Sequence, residues 1–139
     1  MTDAELRASR EALVLHHIKV EFAGDADALN ATFAHPRYDL VATSTVLDGA
    51  EQVAMRVHTL AEQMPGAEME LRSLRHADDA VIVETITRGL HTGPLLGMPP
   101  TGKPYVSRGI AIFRFEGENL VEEIVYYDRL SLMDQLRPD

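Results

Sequence analysis

Two hydrophobic periodicities divide the chain near Pro65-Gly66, and this division constrains the fold more than any other feature. Before it, apolar residues recur every three or four positions; after it, they alternate. From Ala4 to Phe22, the residues Leu6, Leu13, Val14, Ile18 and Phe22 form a helical stripe that Gly24 and Asp25 break. A second short helix is expected from Ala26 to Phe33, ending before His35-Pro36 because the residue preceding a proline avoids the helical region. A strand is expected from Tyr38 to Thr45. The turn signal Asp48-Gly49 then leads into a third helix, with Ala50, Val53, Ala54, Val57, Leu60, Ala61 and Met64 along one side. Beyond Pro65-Gly66, the segments Glu68 to His76, Ala80 to His91, Tyr105 to Glu116 and Leu120 to Asp128 read as four successive strands. Helices first and strands last predict an α+β fold, a curved antiparallel sheet wrapped as a cone around the amino-terminal helices. A length of 139 residues suits one domain, residues 1–139, around one core.

The connections point to where function should be sought. Asp78-Asp79 and Glu116 to Asn119 are short enough for hairpin turns, whereas Thr92 to Pro104 is a long link with four prolines and three glycines. Such a loop is expected to cover something, and the open end of a cone is a natural pocket for a small molecule. The last segment, Arg129 to Leu136, offers Leu130, Leu132, Met133 and Leu136 for packing back onto the sheet.

Composition removes several function classes. Thirteen Lys and Arg against 22 Asp and Glu give a formal charge of −9, which repels phosphate backbones and anionic lipid surfaces, so no nucleic acid or membrane partner is expected. No run approaches the roughly 18 apolar residues of a membrane span, and the start MTDAELRASREALV lacks a basic-then-apolar leader, so a cytoplasmic location is expected. Without cysteine there is no thiolate metal site and no thiol nucleophile. The segment GMPPTGK imitates a phosphate-binding loop, but Pro104 stands where Ser or Thr belongs and a strand follows instead of a helix. The histidines form no HExxH or HxH, so no metal is expected, and no GxSxG elbow marks a serine nucleophile.

Candidate site residues lie at strand ends. On the last strand, simple alternation places Asp128 on one face with Leu120, Ile124 and Tyr126. An acid on a mostly apolar face is a candidate base, although Asp128 also stands where strand becomes helix and Asp is a favoured helix N-cap. His91 ends the second of the four strands, where it either faces the cone's mouth or lies in a solvated loop. His35 and Tyr38, near the first strand, are further candidates for the pocket, and Tyr126 shares the face of Asp128. Glu122-Glu123 read as solvated strand charges.

The segments GLHTGPLLGMPPTGKPY, IAIFRFEGENLVEEIVYYD and LSLMDQL resemble the SnoaL-like polyketide cyclases of the NTF2-like superfamily. Looser similarity extends over DGAEQVAMRVHTL and MPGAEMEL, so nearly the whole chain is covered. The resemblance implies a cone-shaped α+β barrel, a homodimer, and cofactor-free intramolecular aldol closure of a polyketide ester. It implies that Asp128 is the acid/base residue and His91 a polar group of the pocket. Ile124 stands where the family commonly carries Trp, which bears on pocket shape.

The resulting expectation is an enzyme acting on a small hydrophobic carbonyl compound, with Asp128 and His91 catalytic and His35, Tyr38, Tyr126 and Ile124 binding substrate. Asp128 removes a C–H proton while His91, with Tyr126, hydrogen-bonds the enolate oxygen. Two alternatives use the same fold: a ketosteroid-isomerase-like isomerase, and a non-enzymatic module that binds a small ligand or dimerises.

Overall fold

The computed structural model describes residues 1–139. Helix α1 (Asp3–Phe22) begins in a capping box, in which the Thr2 hydroxyl accepts from the Glu5 amide and the Glu5 carboxylate accepts from the Thr2 amide. Helix α2 (Ala26–Ala31) is capped by Asp25. After α2 the chain runs into β1 (Arg37–Leu40) and β2 (Thr45–Asp48), then helix α3 (Ala50–Gln63). The long strands follow: β3 (Glu68–His76), β4 (Ala80–Leu90), β5 (Pro104–Glu116) and β6 (Asn119–Tyr127), with a closing helix α4 (Arg129–Leu136). No helix is long and apolar enough to cross a membrane.

The six strands form one curved, unclosed sheet in the order β2-β1-β6-β5-β4-β3. Neighbours are antiparallel except β1 and β6, which run parallel, so the sheet is mixed and not purely antiparallel as expected. The expected strand Tyr38–Thr45 is also divided. The chain leaves β1 at Leu40, turns through Val41–Thr43, takes a left-handed conformation at Ser44 (φ 51°), and returns as β2. Residues Val14, Leu29, Tyr38, Val53, Val57, Val81, Phe113 and Leu120 are buried between the helices and the concave face.

Two details of the sheet position the site. Between β5 and β6 the register slips: Arg114 pairs with Glu122 but Phe115 pairs with Leu120, leaving Val121 as one extra residue on β6. A one-residue bulge reverses the facing of everything beyond it. Leu120, Glu123, Val125 and Tyr127 therefore line the concave side, while Glu122, Ile124 and Tyr126 take the convex side.

The second detail is side-chain size. Along the concave side of β5, bulky Phe115 and Phe113 give way to Ala111, Gly109 and Ser107 before Tyr105 closes the series. Large residues fill the interior and small ones leave it open.

Candidate active site

The open interior is a cavity of about 520 Å³, within the usual range for small-molecule sites. Most of its wall is apolar, including Ile18, Leu47, Leu60, Met69, Val83 and Val125. Gly109 contributes to the space, since a Cβ there would stand 2.9 Å from the Tyr126 carbonyl oxygen. The long loop reaches the cavity through Leu95 and Leu96, and α4 reaches it through Leu132. That loop is drawn close to α3 at Gly93, where a Cβ would meet the Glu62 carbonyl oxygen at 2.3 Å.

Only three charged side chains line this cavity: Glu21 from α1, Arg56 from α3 and Glu123 from β6. Behind them sit His17 and Tyr38, both fully buried. His17 Nε2 lies 2.7 Å from Glu123 Oε1, 3.5 Å from Glu21 Oε2 and 3.0 Å from the Tyr38 hydroxyl. Its Nδ1 lies 2.8 Å from Thr32 Oγ1, and Thr32 donates its own hydroxyl hydrogen to the Leu29 carbonyl at 2.6 Å. Thr32 must then accept from His17, which places a hydrogen on Nδ1. The Tyr38 hydroxyl donates to Glu21 at 3.3 Å and must accept from Nε2, so both ring nitrogens carry hydrogen and the charged ring faces Glu123 Oε1 as an ion pair outside hydrogen-bond geometry.

The electrostatics agree. Burial disfavours a charged His17 ring, but Glu123 and then Glu21 outweigh it and raise the pKa from 6.5 to about 9. Burial likewise opposes ionisation of Glu21, yet Arg56 and His17 hold its pKa at about 2. Arg56 Nη1 donates to Glu21 Oε1 at 2.7 Å, and its guanidinium stacks on the Tyr38 ring at 4.5 Å from the centroid. Burial, with Glu123 and Glu21 nearby, pushes the Tyr38 phenol well above its ordinary value, so the hydroxyl stays protonated and donates to Glu21. Two carboxylates, one imidazolium and one guanidinium balance to zero charge.

One ligand atom each of His17, Glu21 and Glu123 falls within 4.8 Å of the others, the spacing of a metal-binding trio. Arg56 already supplies the positive charge at Glu21, and with His17 it neutralises both carboxylates. A further cation would have to displace these contacts.

The residues singled out from sequence are not brought together. Asp128 does not project into the cavity: the bulge puts its parity on the convex side, it is exposed, and its carboxylate caps α4 by accepting from the Ser131 amide at 3.0 Å. His91 is buried away from the cavity wall, where Nδ1 contacts Thr101 Oγ1 at 2.8 Å and accepts from the Thr101 amide, while Nε2 donates to the Met98 carbonyl at 3.2 Å. It clasps the long loop. His35 is exposed and paired with Asp48. Tyr38 faces inward but behind the charged base, Tyr126 borders the cavity while remaining half exposed, and Ile124 lies on the convex face. Sequence reasoning missed Glu123, His17, Glu21 and Arg56. The spacing of His17 and Glu21, four residues apart on α1, was the available signal.

Helices packed on a curved, unclosed sheet with an interior cavity define an NTF2-like, ketosteroid-isomerase-like fold. Within that class the sequence narrows the identity, because the model of the SnoaL-like polyketide cyclase family matches residues 14–136, and the chain belongs to that family. Similar solved structures include a protein from Jannaschia sp. CCS1 assigned to the SnoaL-like polyketide cyclases, 21% identical, covering 95% of this chain and 94% of that one with a TM-score of 0.86. TsrD from Streptomyces laurentii is 26% identical over 94% of this chain and 96% of that one, with a TM-score of 0.79. A protein from Acidithiobacillus ferrooxidans assigned as a polyketide cyclase is 24% identical over 99% and 98% of the two chains, with a TM-score of 0.76. Comparison with curated proteins gives no match.

Proposed function

We propose that the cavity is the active site of a cyclase that performs acid/base chemistry on an apolar carbonyl compound, with Glu123 as the base. The observation that carries this reading is a carboxylate only 5% exposed, lining an apolar cavity, with a charged guanidinium in the same wall. Glu123 removes a C–H proton next to the carbonyl and returns it after the carbon–carbon bond has formed. Arg56 uses one donor on Glu21, so other N–H groups of its five are free for the enolate oxygen. Glu21 aims Arg56, and His17, held by Thr32, aims Glu123. Membership in the cyclase family favours ring closure over isomerisation as the use of this chemistry.

The test is proton exchange at the activated methylene of 2-tetralone in deuterated water, followed by NMR. The wild-type protein should accelerate exchange, and Glu123→Gln should lower the acceleration on the order of a hundredfold or more. Asp128→Asn, which retains the helix cap, should leave it unchanged. Equal rates for wild type and Glu123→Gln would refute Glu123 as the base. A loss in Asp128→Asn alone would return the role to Asp128.

A further inference from the structure

The concave wall is built in cross-strand layers whose character changes along the cavity. The layer at the charged base pairs Val81, Phe113 and Glu123, and the next pairs Val83, Ala111 and Val125. Beyond them, Thr85 stands beside Gly109 and Tyr127, and Thr87 stands directly opposite Ser107. Thr85, Thr87 and Ser107 all line the cavity, and no protein group hydrogen-bonds their hydroxyls. An unengaged hydroxyl in a mostly apolar wall is a place for a polar partner, because an unpaired one costs about 1–3 kcal/mol when covered. The following layer lies outside the cavity and packs against Leu95, Leu132 and Leu136. There Tyr105 is 2% exposed, its hydroxyl has no protein partner, and it lies so close over Gly89 that a Cβ would stand 2.4 Å away.

We propose that Thr85, Thr87 and Ser107 form a second polar subsite that binds a neutral oxygen function, a hydroxyl or carbonyl, at the far end of an elongated apolar ligand. The inference rests on the reading of Glu123 as the group that meets the reacting end. Neutrality follows from the lining, since the charged groups of the cavity are confined to the base, and hydroxyls serve as both donor and acceptor without compensating a charge. Elongation follows from the register. Thr85 lies two layers, or four residues, from Glu123, about 13 Å along a strand at roughly 3.3 Å per residue. The wall between is Val83, Ala111 and Val125, which suits a flat hydrocarbon body. The enzyme would thus select substrates oxygenated at both ends.

Two rigid phenols test this. 4-Hydroxybiphenyl offers one hydroxyl for the charged base, and 4,4′-dihydroxybiphenyl adds a second at the opposite end. Titration calorimetry should show the diol binding about tenfold tighter, the worth of one good hydrogen bond. The variant Thr85→Val, Thr87→Val, Ser107→Ala keeps β-branched shape on β4 and should erase that preference without weakening the monophenol. Equal affinities in the wild type, or a preference that survives in the variant, would overturn the subsite while leaving the base untouched. Loss of affinity for both phenols in Glu123→Gln, with the diol preference intact, would separate the base from the subsite and support both. Failure of either phenol to bind the wild type would overturn the cavity reading and the subsite together.

Discussion

Glu122 and Glu123 are adjacent in sequence, share a side chain type, and live in different electrostatic worlds. On the convex side of β6, Glu122 accepts from Arg37 at 2.7 Å and from Arg114 at 3.3 Å, each arginine partly exposed. On the concave side, Glu123 meets a fully buried histidine and faces an apolar cavity with an arginine in its wall. Glu122 itself is only 12% exposed, but water reaches both of its arginines and can replace either one. Nothing replaces a partner in the second. What separates a structural ion pair from a candidate catalytic base is therefore the side of the strand, and with it which neighbours hold the charge.

The largest break in this comparison is removal of His17. His17→Leu fills similar space but leaves Glu123 buried and unpaired, and should destabilise the protein by about 3–5 kcal/mol in urea unfolding. The double variant His17→Leu, Glu123→Leu should recover much of that loss, because a buried pair replaced whole by apolar groups costs little. If the double variant is as unstable as the single one, packing and not charge pairing explains the cost. A smaller effect comes from pH. The folded-state pKa of His17 is raised from 6.5 to about 9, so the stability it contributes is full below 6.5 and is lost as pH rises through 9. Unfolding free energies measured across that window should fall for the wild type and stay flatter in the double variant. The smallest effect is on the convex side, where Glu122→Gln should shift stability by no more than about 1 kcal/mol and vanish at high salt.

How far the fold was legible follows from where its signals lie. The four long strands and α3 stand within a residue or two of their expected limits, because alternation, the helical stripe and Pro65-Gly66 are local properties. The β1–β2 hairpin was hidden because its turn carries neither Gly nor Pro: Ser44 adopts the left-handed conformation instead. The site was hidden for a related reason. Val121 has no turn chemistry to announce an extra residue, so strict alternation carried Leu120, Ile124, Tyr126 and Asp128 to one face, when Leu120 and Ile124 face opposite ways. His17 and Glu21 share one side of α1, but the acid that completes their group arrives from β6, more than a hundred positions along the chain. His91 lay at a strand end as expected. Its burial depends on the loop folding back so that Thr101 and Met98 meet its ring, a closure that residue types alone do not specify.

The slip at Val121 makes the identity of the interior acid a matter of counting. Excising that single valine would make the pairings of Phe115 with Leu120 and Arg114 with Glu122 consecutive, so β6 would alternate without a break while Glu123 stayed indoors beside His17 and Glu122 stayed with Arg37 and Arg114. Drawing Val121 into the ladder opposite Arg114 would instead exchange the two acids, and because both are glutamates a carboxylate would remain on each side. A relative lacking the extra residue would thus keep the same interior acid, and sequence alignments across this strand should be anchored on the facing of side chains instead of on matched letters.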